Sequence, residues 1–187
     1  NELLIPMMDR LKSLDQSQRA QSIVSKAWGP NGPFSTAEVL NTELGSRLFR
    51  SVVEVNPGAT IDALVHSFDE FSAEEMKTML FSGRRNIVWA LEKLVFRDET
   101  FISSAKMLMK LSAGENENYG NNATGQLMQL FHIHLAGTQA NFPKRIEVLN
   151  WGVNHEDEKI NAVAISATGH ALLSHGFHRS IGAENQG

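Results

Sequence analysis

Cysteine is missing from all 187 residues, which excludes disulfides, zinc–thiolate sites and a thiol nucleophile together. That absence fits a reducing compartment, and a cytoplasmic location is the expectation. Long apolar runs are missing as well: none approaches the ~20 residues a spanning helix needs, so no membrane partner is expected. With a net charge of −4 the chain has little of the basic surface that displaces phosphate counterions, and nucleic acid is an unfavoured partner. The opening Asn1-Glu2-Leu3-Leu4-Ile5-Pro6 has no initiator Met, basic leader or cleavage-site pattern. The expectation is a segment of a longer polypeptide.

The signatures of catalysis are also absent. There is no Gly-x-x-x-x-Gly-Lys-Ser/Thr phosphate loop and no Gly-x-Ser-x-Gly elbow. His155-Glu156 begins a zinc-helix pattern, but Lys159 stands where the second histidine belongs. No histidine has a glutamate three residues before it, so the carboxylate-bridged di-metal bundle fails too. No catalytic residue and no cofactor is assigned.

What is present is globular in character: 42% hydrophobic and 20% charged residues, enough for one domain over residues 1–187. Helical periodicity runs nearly throughout. Leu40, Leu44 and Leu48 with Phe49, Val52 and Val53 form one apolar stripe, and Ser35 with Glu38 has the spacing of a capping box ahead of it. Asn56-Pro57 reads as a cap followed by proline at the first helical position, before Ile61, Leu64, Val65 and Phe68. Ser72 and Glu75 make a second capping box. Ile87, Val88, Leu91, Leu94 and Val95 share a face, and Asp98 is expected to cap a helix carrying Phe101, Ile102, Ala105, Leu108 and Met109. Leu127, Leu130, Phe131 and Leu135 suggest another stripe. Pro143 stands as a first helical residue before Ile146, Val148 and Leu149, and Asn154 with Asp157 starts a last helix rich in small residues.

The sum is an all-α chain of nine or ten helices, read as antiparallel hairpins stacked in an α-solenoid of the armadillo or HEAT kind. A globular helical bundle is the alternative. Ile23, Trp28, Gly29 and Asn31 match Ile146, Trp151, Gly152 and Asn154 in type and spacing, at an offset near three repeats of ~40 residues. The plain alternative is that Trp-Gly simply ends helices, with Gly as a left-handed cap.

The stretch Gly114–Gly125 is rich in Asn, Gly and Glu. As a calcium loop it fails, because Tyr119 and Gln126 fall where oxygen ligands belong. Thr124 is expected to cap the following helix. Charge is uneven: the acids Glu54, Asp62, Asp69, Glu70, Glu74 and Glu75 precede a basic segment from Lys77 to Lys110, and pairing between adjacent helices is the favoured account. Arg84 and Arg85 lie near an expected helix start, where cations oppose the helix dipole. They either pair with the acidic run or await an anionic partner. Among the histidines, His132 and His134 are two apart on an expected helix and so point apart, with His134 at the core edge. His175 and His178 are three apart and share a face.

At Arg84-Arg85-Asn86-Ile87-Val88-Trp89-Ala90-Leu91-Glu92, and again at Asn121-Asn122-Ala123-Thr124-Gly125-Gln126 with Leu130-Phe131, the chain resembles helical regions of large bacterial NACHT- or STAND-type signalling ATPases. The resemblance covers roughly residues 84–150. It implies an α-solenoid sensing or scaffolding segment whose nucleotide-binding domain lies elsewhere. The expected function is therefore a non-catalytic interaction module that engages a protein partner or other domains of its own chain through Arg84, Arg85, Asn118, Asn121 and Asn122. Two alternatives stand beside it: a helical metal-dependent enzyme using His170, His175 or His178, and a nucleic-acid-binding module using the basic segment.

Overall fold

The structure is a computed structural model that describes residues 3–177, with the side chains of 5, 9 and 12 left aside. Among the described residues there are eleven α-helices and no strand. They are α1 (Leu4–Arg10), α2 (Gln18–Trp28), α3 (Ala37–Leu40), α4 (Glu43–Val52), α5 (Pro57–Phe68), α6 (Ala73–Met79), α7 (Arg84–Leu94), α8 (Phe101–Ala113), α9 (Ala123–Gln129), α10 (Phe142–Val153) and α11 (Glu158–Ala171). A 3₁₀ turn, Leu11–Leu14, follows α1. Among the described residues no helix is long and apolar enough to cross a membrane.

The caps explain most helix starts. Asn56 accepts the Ala59 amide at 3.1 Å ahead of Pro57, and the Ser72–Glu75 box is complete, each side chain answering the other's backbone. Other starts lie elsewhere than the sequence suggests. Ser35 is buried and donates to the carbonyls of Gly29 and Gly32, so Thr36 caps α3 in its place. The Leu40–Leu44–Leu48 stripe is not one helix: Asn41 ends α3, Thr42 caps α4, and Leu44 is exposed. Asp98 pairs with Lys144, and α8 begins at Phe101 with no side-chain cap bond. Asn122, and not Thr124, caps α9. Asp157 alone caps α11, while Asn154 ends α10, whose Pro143 is its second residue after Asn141 as cap. The α9 helix stops at Gln129, so Leu135 lies outside it, exposed and at φ 58°.

The Glu75 carboxyl accepts from the backbone N–H and then the hydroxyl of Ser72, and both hold it below its ordinary range. Because its folded pKa is depressed, the cap's contribution is present above the unfolded value and is lost as pH falls through the folded one. Ser72→Ala removes the hydroxyl and leaves the amide. A carboxyl NMR titration should then show Glu75 moving part of the way up. An unmoved Glu75 would rule the hydroxyl out.

Packing is ordered. Helix α1 packs on α4, α4 on α7 and α7 on α9; α2 packs on α5, α5 on α8, and α8 on α10 and α11. Three of the side-chain bonds across this packing join residues about forty positions apart. Asn86 reaches Ser46, Lys93 reaches Glu54 and Lys110 reaches Asp69, which are 40, 39 and 41 positions apart. The last two join the acidic run to the basic segment, at 2.6 and 2.8 Å. One core unites the layers: Phe49, Leu64, Phe68, Leu91, Phe101, Leu108 and Phe131 are all buried, each such side chain contributing about 1.5–3 kcal/mol.

The two Trp-Gly pairs have different surroundings. Gly29 ends α2 at φ −76°, so it is no left-handed cap. Gly152 lies within α10, where a Cβ would meet Met109 Sδ at 2.4 Å and Ala164 Cβ at 2.6 Å; it lets α8, α10 and α11 approach closely.

Candidate functional site: a cationic cleft beside α4 and α7

Helices α4 and α7 run side by side, and on their outer face a cleft of about 600 Å³ opens, a volume in the range of ligand sites. Its lining includes Arg47 and Arg50 from α4, Arg85 and Trp89 from α7, and Phe81 from the turn between α6 and α7. Arg47 and Arg50 are one helical turn apart, so they share a face. Phe81 is 74% exposed.

These groups are held in place. The Arg50 guanidinium lies over the Trp89 ring at 4.8 Å and donates to Asn86 Oδ1 at 3.3 Å, while Asn86 Nδ2 donates to Ser46 Oγ at 3.1 Å. Arg85 lies over the Tyr119 ring at 4.9 Å. Burial and a hydrogen bond to Glu117 push the Tyr119 phenol well up, so the ring stays neutral throughout the physiological range. The turn bearing Phe81 is tied to the α3–α4 junction: Asn41 Oδ1 accepts the amides of Phe81 and Gly83 at 2.8 and 3.3 Å, and Asn41 Nδ2 donates to Met79 O at 2.6 Å. Among the described residues no carboxylate lies within ion-pairing distance of Arg47, Arg50 or Arg85. Glu43 and Glu117 also line the cleft.

The adjacent arginines have opposite fates. Arg84 is fully buried, donating from Nη1 to Met76 O at 3.1 Å and from Nη2 to Leu111 O at 2.5 Å, with Glu115 Oε1 at 3.4 Å. A buried guanidinium bonded in this way is beyond the reach of a docking partner, and its reversal would strike the core first. Arg85 alone faces the cleft. Asn122 is committed to α9: its Oδ1 accepts the Gly125 amide and its Nδ2 donates to Glu117 O. Asn118 is exposed and Asn121 half-buried in the same loop, and neither lines the cleft; Asn116 does, with Nδ2 donating to Lys77 O. Arg47, Arg50, Phe81 and Trp89 were not singled out by sequence reasoning. The available signal was the Arg47–Arg50 spacing on a helix that also carries an apolar face.

The histidines gather differently from expectation. His132 and His134 follow α9 on an irregular segment, since that helix has ended. His132 Nε2 faces His170 Nδ1 at 3.3 Å, and Phe177 stands edge-on to His132 and His134. His175 is exposed beside Ser174, and His178 lies outside the described residues. Among the described residues no group of three or more His, Asp or Glu side chains is arranged to hold a metal ion.

Comparison with family models, with characterised proteins and with solved structures gives no match.

Proposed function

We propose that the chain is a non-catalytic interaction module of the helical-repeat kind, and that the α4–α7 cleft is where it takes a protein partner. The carrying observation is the cleft itself: Arg47, Arg50 and Arg85 converge beside exposed Phe81, with no carboxylate paired to any of them among the described residues. Aromatic residues and arginines that lose water on docking dominate binding energy at protein interfaces, whereas charges left exposed at the rim contribute little.

The solenoid reading draws support from the stacking order. One layer starts its helices at Leu4, Glu43, Arg84 and Ala123, the other at Gln18, Pro57, Phe101 and Phe142, each series advancing by roughly forty residues, the HEAT and armadillo period. Consecutive members of each series pack on one another, and in such a stack the loops on one side are available for binding. On this reading the chain serves as a sensor or scaffold segment of a longer protein of the NACHT or STAND kind.

The test is capture from a bacterial lysate by the immobilised chain, compared with Arg47→Glu/Arg85→Glu. Both side chains are exposed. The melting temperature should therefore stay within about 2 °C while specifically retained proteins fall at least ten-fold, as expected for charge reversal at a docking surface. Unchanged retention by a folded variant would remove the cleft from the account.

A further inference from the structure

We infer that the occupant of the cleft is an acidic segment of the partner, whose carboxylates meet Arg47, Arg50 and Arg85 while one apolar residue lies against Phe81 and Trp89. This rests on the interaction-module reading and adds the chemistry of the ligand. Three guanidinium groups in one cleft form a local positive field on a chain of net charge −4. Planar guanidinium forks match carboxylates two hydrogen bonds at a time. Arg50 and Arg85 are already laid on the Trp89 and Tyr119 rings, so ordering them costs less side-chain entropy on binding.

Apolar anchoring comes from the same cleft. Phe81 offers a ring that is 74% exposed, on a turn whose backbone the Asn41 side chain holds at the Phe81 amide. Trp89 supplies the wall beneath Arg50.

Glu43 and Glu117 discriminate between anions. A nucleic-acid strand carries a charge about every 3.4 Å and would bring phosphates against both carboxylates. A peptide sets its acids at chosen positions and passes those sites with neutral residues. The acidic peptide is therefore the fitting ligand.

Fluorescence anisotropy tests this with three labelled probes at 150 mM salt. They are a nine-residue peptide with four Glu around a central Phe, the same peptide with Gln for Glu, and a twelve-residue oligothymidine. The whole chain should bind the acidic peptide at least ten-fold more tightly than the Gln peptide or the oligothymidine. Arg47→Gln/Arg85→Gln should lose at least ten-fold toward the acidic peptide with an unchanged melting temperature, and Phe81→Ala should lose about five-fold. Excess acidic peptide should displace proteins captured from lysate. Equal binding of the Glu and Gln peptides, or an acidic-peptide affinity unaffected by the double substitution, overturns the inference. So does preferred, cleft-dependent binding of the oligothymidine, which makes the site one for nucleic acid. If lysate capture depends on the cleft but the acidic peptide neither binds nor competes, the ligand class is wrong while the interaction reading stands.

Discussion

Arg84→Ala should unfold the chain more readily than any charge substitution on its surface, lowering stability by about 3–5 kcal/mol. The guanidinium is wholly enclosed and ties two helix ends together: Met76 near the end of α6, and Leu111 in the last turn of α8 with Glu115 just beyond it. Helix ends leave carbonyls without intrahelical partners, and a buried cation is one way to satisfy them. Truncation strands two buried carbonyls, empties the volume of a large side chain and loosens Glu115. Glu115 also accepts the Thr124 amide at 3.0 Å, so the start of α9 should loosen as well. At ~2–4 °C per kcal/mol for a chain of this size, the melting temperature should fall by roughly 10 °C. Arg84→Lys keeps the charge but cannot fork to two carbonyls, and should fall between. Arg85→Ala, one residue on, should melt as the parent does. A thermal series over these three variants checks the assignment, and similar losses for Arg84→Ala and Arg85→Ala would refute it.

Gly83→Ala should cost on the order of 3 kcal/mol, at the upper end of overpacking penalties. A Cβ there would lie 1.9 Å from the Leu40 carbonyl oxygen and 3.0 Å from Asn41 Cα, which are backbone atoms and cannot rotate away. The φ of −89° is open to any residue, so the requirement is close approach and not backbone handedness. Either the α6–α7 turn or the α3–α4 junction must retreat, breaking the Asn41 bridges to Phe81 and Gly83. The cleft wall moves with them, so Gly83→Ala should reduce stability and partner binding together. Gly120→Ala, with open space around the added carbon, should change neither. Denaturant midpoints measured beside binding would separate the two; full binding by Gly83→Ala would mean that the turn does not shape the cleft.

Local chemistry was legible in the sequence where one segment carries its own instructions. Asn56-Pro57 and Ser72 with Glu75 specify helix starts through atoms within a single turn, and both starts lie where the spacing puts them. The periodic runs in α5, α7 and α8 are buried on the faces their spacing selects, apart from the half-buried Val65 and Ile102. Failures arise where another group engages the atom the spacing points to, or where a break leaves the period unchanged. Ser35 has the spacing of a cap, but its hydroxyl is engaged by Gly29 and Gly32 across a turn. Asp98 has a cap's chemistry and is drawn to Lys144. Leu40, Leu44 and Leu48 keep helical spacing across a break because Asn41 and Thr42 end one helix and start another without changing the period.

The site was half legible for the same reason. Arg84 and Arg85 stand out as cations at a helix start, yet whether each is buried depends on α6, α8 and the 114–122 loop, which no local pattern reports. Arg47 and Arg50 look like an ordinary solvated face until α7 brings Arg85 and Trp89 beside them. Asn122 has the composition of a recognition loop and is used as a helix cap.

The cleft exists only if α4 and α7 lie next to each other with Arg47 and Arg85 on the same open side. Because the chain has no cysteine, Arg47→Cys/Arg85→Cys can carry two spin labels with no background. Neighbouring helices pack about 8–10 Å apart, so the doubly labelled protein should give strong dipolar broadening that full denaturation abolishes. Spectra equal to the sum of the two single-label spectra, from a protein still folded, would contradict it.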